Sequence, residues 1–101
     1  MAINMQTMRG CARPASSLLK AMSNERRLMI LCHLMEGEKS VGQLEGLIGI
    51  SQSALSQHLA RLRRDNLVAT RREAQSIFYS LSGRDVPVIV DALQGVGVFT
   101  R

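Results

Sequence analysis

The chain has 101 residues, of which 46% are hydrophobic and 21% charged, and its 13 Lys and Arg against 8 Asp and Glu give a net charge of +5. This length suits one domain with a modest core, and the composition excludes a wholly disordered chain. No apolar run approaches the ~20 residues of a membrane span, and the N-terminal segment MAINMQTMRGCARPASS lacks the apolar stretch of a secretory signal. We therefore expect a cytoplasmic protein with no membrane partner.

The N-terminal segment is expected to consist of an arm followed by a short helix. Residues 1–12 show no helical periodicity, which predicts a flexible arm and leaves residues 13–101 as the folded domain. Apolar residues then recur at helical spacing, and they predict a first helix from Ala15 to about Met22.

The central part of the chain predicts a helix-turn-helix. Residues 25–36 are apolar almost all round, as in the buried central helix of a small domain. Ser40 and Gln43 form a predicted capping box that opens a third helix, and after the turn residue Gly49, Ser51 is the predicted N-cap of a fourth helix that ends near residue 66. The apolar positions of the third helix are Val41, Leu44, Leu47 and Ile48, and the fourth helix is expected to turn Leu55, Leu59 and Leu62 towards the core.

The C-terminal part predicts a β-hairpin and a last helix. The segments LVATRR and SIFYSL are rich in β-branched and aromatic residues, with a polar tip over residues 73–75 between them. Ser82 or Asp85 is the predicted N-cap of the last helix, with Pro87 in its first turn. The predicted fold is therefore mainly α with a β-hairpin wing: a winged helix-turn-helix of five helices.

The first and last helices each carry an apolar stripe. A fold of this size has few other residues with which to cover both stripes. These stripes are expected to meet their copies in a second subunit, across a two-fold interface. The predicted homodimer interface consists of Leu18, Leu19, Met22, Ile89, Val90, Leu93 and Val96.

The fourth predicted helix carries short polar residues on its outward face and arginines at its end. Glutamine matches the adenine edge, serine can donate or accept, and arginine binds phosphate, so this face is suited to the major groove of double-stranded DNA. Five arginines opposed only by Asp65 give residues 51–72 a net charge of +4. The predicted base-reading residues are Gln52, Ser53, Ser56 and Gln57, and the predicted phosphate contacts are Arg61, Arg63, Arg64, Arg71 and Arg72.

The segments LLKAMSNERRLMIL and SVGQLEGLIGISQSALSQHLARLRRDNLVATRREAQSIFYSL resemble the ArsR/SmtB family of bacterial winged helix-turn-helix repressors, over roughly residues 18–93. The similarity is greatest to the subgroup of NolR, HlyU and BigR, which lacks metal sites. The resemblance implies a homodimer that binds an inverted-repeat operator and competes with or displaces other regulators. It also adds Gln75 to Arg71 and Arg72 as a DNA contact of the wing.

The sequence predicts neither a metal site nor a cofactor. SVGQL stands where metal-sensing relatives have paired cysteines, and Asp85 and Asp91 on the last helix have no histidine beside them. His33 and His58 lack partners at ligand spacing, whereas a structural zinc site takes four nitrogen or sulfur ligands.

Cys32 leaves a second interpretation open. It coincides with a cysteine that is paired, in sulfide- and redox-responsive relatives, with another near the end of the last helix, where this chain has Val98. Cys32 is therefore either a redox sensor, with Cys11 as a conceivable partner, or a small hydrophobic residue of the core. The inducing signal, a small molecule or a redox change, is not specified by the sequence.

The sequence fits three classes of function to different degrees. The favoured one is a DNA-binding transcriptional regulator, either a repressor or an anti-repressor, with a thiol-responsive repressor as its variant. The second is a winged-helix module that binds another protein; the two differ in that DNA binding weakens steeply with salt. An enzyme fits least, since no nucleophile, base and orienting group recur at workable spacing.

Overall fold

The computed structural model describes residues 2–98. Over this range it contains five helices and a three-stranded antiparallel sheet in the order β1-β3-β2, which confirms the predicted winged helix-turn-helix. In chain order the elements are α1 (Met5–Met22), α2 (Glu25–Met35), β1 (Lys39–Ser40), α3 (Val41–Ile48), α4 (Gln52–Arg64), β2 (Val68–Glu73), β3 (Ser76–Leu81) and α5 (Asp85–Gly95).

The predicted start of the first helix was wrong, because α1 begins at Met5 and not at Ala15. The side chain of Asn4 caps it by accepting hydrogen bonds from the backbone N–H groups of Gln6 and Thr7, at 2.9 and 3.2 Å. Residues 2–17 are all exposed, so no buried stripe marks this half of the helix in the sequence. The division into a flexible arm and a folded domain stays a prediction.

The core is formed by the C-terminal end of α1 and by one face of each of the helices α2 to α5. Ile30 and Leu31 of α2 lie at its centre, fully buried, as the apolar character of that helix predicted. Leu55, Leu59 and Leu62 of α4 are also buried, which confirms the predicted stripe and determines which face of α4 points outward. The other buried side chains are Ala21, Met22, Leu34, Leu44, Ile48, Leu67, Val68, Val86 and Val90.

Capping interactions position α3 and α4 as predicted. Ser40 Oγ accepts from the N–H of Gln43 at 3.1 Å, and the Gln43 side chain accepts from the N–H of Ser40 at 2.8 Å. Gly49 then takes the left-handed conformation with φ of 74°, and Ser51 Oγ caps α4 by accepting from the N–H of Ala54 at 3.1 Å. Of the apolar positions of α3, Leu44 and Ile48 are buried, whereas Leu47 is 48% exposed.

The sheet contains a strand that the sequence did not predict. Lys39 and Ser40 form β1, which pairs with Tyr79 and Phe78 of β3. Two residues are too few to show the alternation by which a strand is recognised. The hairpin of β2 and β3 turns at Ala74 and Gln75, so Glu73, predicted at the tip, belongs to β2 instead.

The predicted N-cap of the last helix was also wrong. Arg84 occupies that position without a side-chain capping bond, and Asp85 is the first helical residue. The N–H of Ser82 is already bound to the carbonyl of Leu67, at 3.0 Å, which extends the hairpin by one step. Pro87 lies in the first turn as expected. No helix within residues 2–98 is long and apolar enough to cross a membrane.

Candidate nucleic-acid interface

The structure brings the four predicted base-reading residues together on the outward face of α4. Because the leucines of α4 are buried on the opposite side, all four polar side chains are exposed. Within residues 2–98 no hydrogen bond occupies any of these side chains, so their donors and acceptors are available to a ligand. These residues are Gln52, Ser53, Ser56 and Gln57.

A groove of about 610 Å³ separates α4 from the wing. Gln52 and Ser56 line it together with Arg63 and Arg64, and Tyr79 of β3 forms part of the opposite wall. A smaller adjoining groove of about 420 Å³ is lined by Gln52 and, at the wing tip, by Gln75. The predicted contact of the wing tip therefore lies beside the start of the recognition helix.

The arginines of α4 differ in how much of their charge is available. Arg63 and Arg64 are exposed, and neither has an ion-pair partner in the part of the chain that the structure describes. Arg61, by contrast, donates from Nε to Oδ2 of Asp65 at 2.9 Å, one turn further along the helix. The positive end of α4 is thus provided mainly by Arg63 and Arg64.

The two arginines of the wing also differ. Arg71 donates to both carboxylate oxygens of Glu38, at 2.7 and 2.8 Å, and to Glu73. The hydrogen bond from Arg71 lowers the pKa of Glu38, and the two carboxylates, Glu38 before Glu73, raise the pKa of Arg71. Arg72 is exposed and has no ion pair among the described residues.

Two further arginines, on α2, extend the basic surface and were missed at the sequence level. Arg27 donates to the carbonyls of Ala21 and Lys20, at 2.7 and 3.2 Å, at the end of α1. Burial, followed by the charges of Arg27 and Arg26, lowers the pKa of His58 on α4. The adjacent arginines Arg26 and Arg27, which follow the N-cap Asn24, are visible in the sequence as a pair of positive charges. Only the packing of α2 beside α4 brings this pair close to His58.

The two cysteines are both free thiols and differ in exposure. Cys32 is half-buried, and burial raises the pKa of its thiol, which reduces the fraction of reactive thiolate. Cys11 is exposed on α1, 3.7 Å from the carbonyl oxygen of Met8. Among the described residues no three His, Cys, Asp or Glu side chains are grouped so that they could hold a metal ion. A redox role of Cys32 stays a prediction.

The predicted interface residues fall into three groups according to their exposure. Met22 and Val90 are 6% and 4% exposed and belong to the core of the chain itself, so they offer no surface to a partner. Leu19 and Val96 are 56% and 63% exposed, and Val88 of α5, which was not predicted, is 62% exposed. The remaining predicted residues, Leu18, Ile89 and Leu93, are half-buried.

A capped helix pair around a left-handed glycine, an exposed polar helix face and a hairpin facing it across a groove define a winged helix-turn-helix regulator of the DNA-binding class. The pattern described as "Bacterial regulatory protein, arsR family" matches residues 24–70. The transcriptional activator HlyU of Vibrio cholerae is 55% identical over 91 residues, which cover 90% of this chain and 84% of that protein. The chain belongs to the ArsR family of bacterial regulatory proteins.

Other relatives agree with this assignment and with the predicted subgroup. The nodulation protein NolR of Rhizobium meliloti is 51% identical over 84% of this chain and 70% of its own length. The repressor BigR of Xylella fastidiosa has a crystal structure that matches with a TM-score of 0.87 at 42% identity, covering 93% of this chain and 96% of that one. A homodimeric winged helix-turn-helix DNA-binding domain from Mycobacterium bovis matches with a TM-score of 0.77 at 30% identity, over 96% and 90% of the two chains.

Proposed function

We propose that this protein is a homodimeric regulator that binds an inverted-repeat operator through the major groove of double-stranded DNA. The observation that carries the proposal is the outward face of α4, where four short polar side chains are exposed and form no hydrogen bond with any residue that the structure describes. Gln52 and Gln57 can each pair with the two hydrogen-bonding groups of an adenine edge, and Ser53 and Ser56 can donate or accept. Their short length lets the helix backbone approach the bases closely.

Phosphate contacts would then orient this helix. Arg63 and Arg64 extend from the same helix, and Arg72 with Gln75 provides the matching contacts from the wing. Because phosphate contacts bring affinity but little sequence preference, the base-reading and phosphate-binding residues have separate roles.

The proposed dimer uses the exposed apolar residues of α1 and α5. Leu19, Val88 and Val96 are large apolar side chains more than half exposed in a single chain, and such surface is usually covered in an assembly. The Mycobacterium bovis domain, which is homodimeric, supports the assembly of two copies. A two-fold dimer would present two α4 helices to half-sites separated by about one turn of DNA, roughly 34 Å.

The proposed mode of action is occupancy of a promoter in the cytoplasm, by binding and without catalysis or a cofactor. HlyU carries the name of an activator and BigR that of a repressor, although both match this chain closely. Both outcomes are consistent with one mechanism, in which the bound dimer either blocks the promoter or displaces another regulator from it.

Selection of bound fragments from genomic DNA tests the proposal. The selected sites are expected to contain an inverted repeat and to bind at least ~10³-fold more tightly than random DNA at physiological salt, as specific regulators do. The logarithm of the binding constant should fall steeply and linearly with the logarithm of salt concentration. Fragments without a common repeat, together with binding that ignores salt, would favour the protein-interaction module instead.

A further inference from the structure

We propose that Glu38 positions the wing, and that Arg71 connects the sheet to Glu38 instead of binding phosphate. The inference rests on the proposed function, because it assigns which wing residues meet DNA. Glu38 lies directly before β1 and 33 residues from Arg71 in sequence. Its two carboxylate oxygens accept from Nε and Nη2 of Arg71, a bidentate pair that restricts the orientation of both side chains.

The connection crosses the whole sheet. The strand order is β1-β3-β2, so Arg71 on the edge strand β2 must pass over β3 to reach Glu38 beside β1. Two strand spacings amount to about 9.6 Å, a distance that the long side chains of arginine and glutamate together can cover. The guanidinium lies 4.5 Å from the centre of the ring of Phe78, the residue of β3 that pairs with Arg71. The side chain thus packs on the middle strand while it joins the two outer ones.

Strand alternation places Arg71 and Arg72 on opposite faces of this sheet. Arg72 pairs with Ile77, and Ile77 lines the groove that separates the wing from α4. Arg71 pairs with Phe78 on the other face. Arg72 therefore shares its face with the groove beside the recognition helix, whereas Arg71 points away from it.

The charge around Arg71 also disfavours a phosphate. Glu38 and Glu73 both accept hydrogen bonds from its guanidinium, so two carboxylates oppose one positive charge. A phosphate at this position would have to displace a carboxylate and would be repelled by both. Arg72 has no ion-pair partner within the described range of 2–98, which makes it the available cation of the wing.

The test compares Glu38→Gln, Arg71→Gln, the double variant and Arg72→Gln as a matched control, after circular dichroism has established that each is folded. On the selected operator we expect Glu38→Gln, Arg71→Gln and the double variant to weaken binding by a similar factor of about 3–10, because residues that act as a pair are non-additive. Their salt slopes should equal that of the wild type. Arg72→Gln should lower the slope by about 1.

Hydrogen exchange in the free protein provides a readout that needs no DNA. Glu38→Gln and Arg71→Gln should both speed exchange of the amides of β2, whereas Arg72→Gln should not. Three results would each overturn the inference. Glu38→Gln could bind the operator more tightly than the wild type, or Arg71→Gln could lower the salt slope as much as Arg72→Gln does. The third result is that neither Glu38→Gln nor Arg71→Gln changes the hydrogen exchange of β2. Failure of the wild type to prefer any operator would contradict the proposed function, while the exchange result would still decide the role of Glu38.

Discussion

The recognition helix and the wing carry the same kinds of residue but are stabilised in different ways. In α4, three buried leucines anchor one face, and on the other face Arg63 and Arg64 have no ion-pair partner among residues 2–98. In the wing, Arg71 is held by a carboxylate 33 residues away. The number of arginines in the sequence therefore overestimates the unpaired positive charge, because the partner of an arginine such as Arg71 can be distant in sequence.

The two regions differ in burial as well. The leucine stripe of α4 belongs to the central core, whereas Val68 is the sole buried residue of β2 and β3 among those the structure describes. Segments with few buried contacts open locally at lower free energy than the core. We therefore expect changes in the buried face of α4 to affect global stability and changes in the wing to affect binding first.

The largest expected effect is that of a core leucine of α4. Leu59 is 2% exposed, so Leu59→Ala should lower the free energy of unfolding by about 2–5 kcal/mol, through lost burial and a residual cavity. Urea titration followed by circular dichroism measures the change. Leu47→Ala on the exposed face of α3 is the control and should cost much less; equal losses would contradict the assigned faces.

The second largest expected effect is the loss of a contact with a DNA base. Gln57→Ala should weaken operator binding by ~1–3 kcal/mol while leaving random DNA almost unaffected. Gln94→Ala, an exposed glutamine of α5, is the matched control and should change neither. Anisotropy titrations on both DNAs provide the comparison, and an equal loss on operator and random DNA would remove Gln57 from base reading.

Arginine substitutions should distinguish free from paired charges. Arg63→Ala in α4 and Arg72→Ala in the wing should weaken all DNA sequences alike and each lower the salt slope by about 1. Arg61→Ala should lower it less, because Asp65 already offsets that charge. The slope is measured by titration at several salt concentrations. Three equal slopes would show that the ion pair with Asp65 does not reduce the contribution of Arg61 to DNA binding.

The smallest expected effect is a pH dependence of stability. The pKa of His58 is lowered from 6.5 by burial first and then by Arg27 and Arg26, so the unfolded chain binds the proton more readily. Stability that is present above about pH 6.5 should therefore be lost as the pH falls through the lower, folded pKa. The urea midpoints at about pH 7.5 and about pH 5.5 should differ more in the wild type than in His58→Gln. Equal differences would show that His58 is not the source of the pH dependence.

Local signals were sufficient to predict the helix-turn-helix and the base-reading face of its second helix. A capping box spans four residues, a glycine turn depends on one, and the leucine stripe repeats within two helical turns. Because all of these act between neighbours in sequence, residues 40–64 alone determine where the two helices begin and which face of α4 is exposed.

Interactions between distant segments were decided by the tertiary structure alone. Nothing near Arg71 in sequence indicates that Glu38 holds it, because the pair forms only when β1 joins the sheet beside β3. In the same way, Met22 and Val90 were assigned to a partner subunit from their helical stripes, and packing buried them inside the chain instead. Local periodicity shows that a face is apolar, but which surface covers that face depends on where the other helices pack.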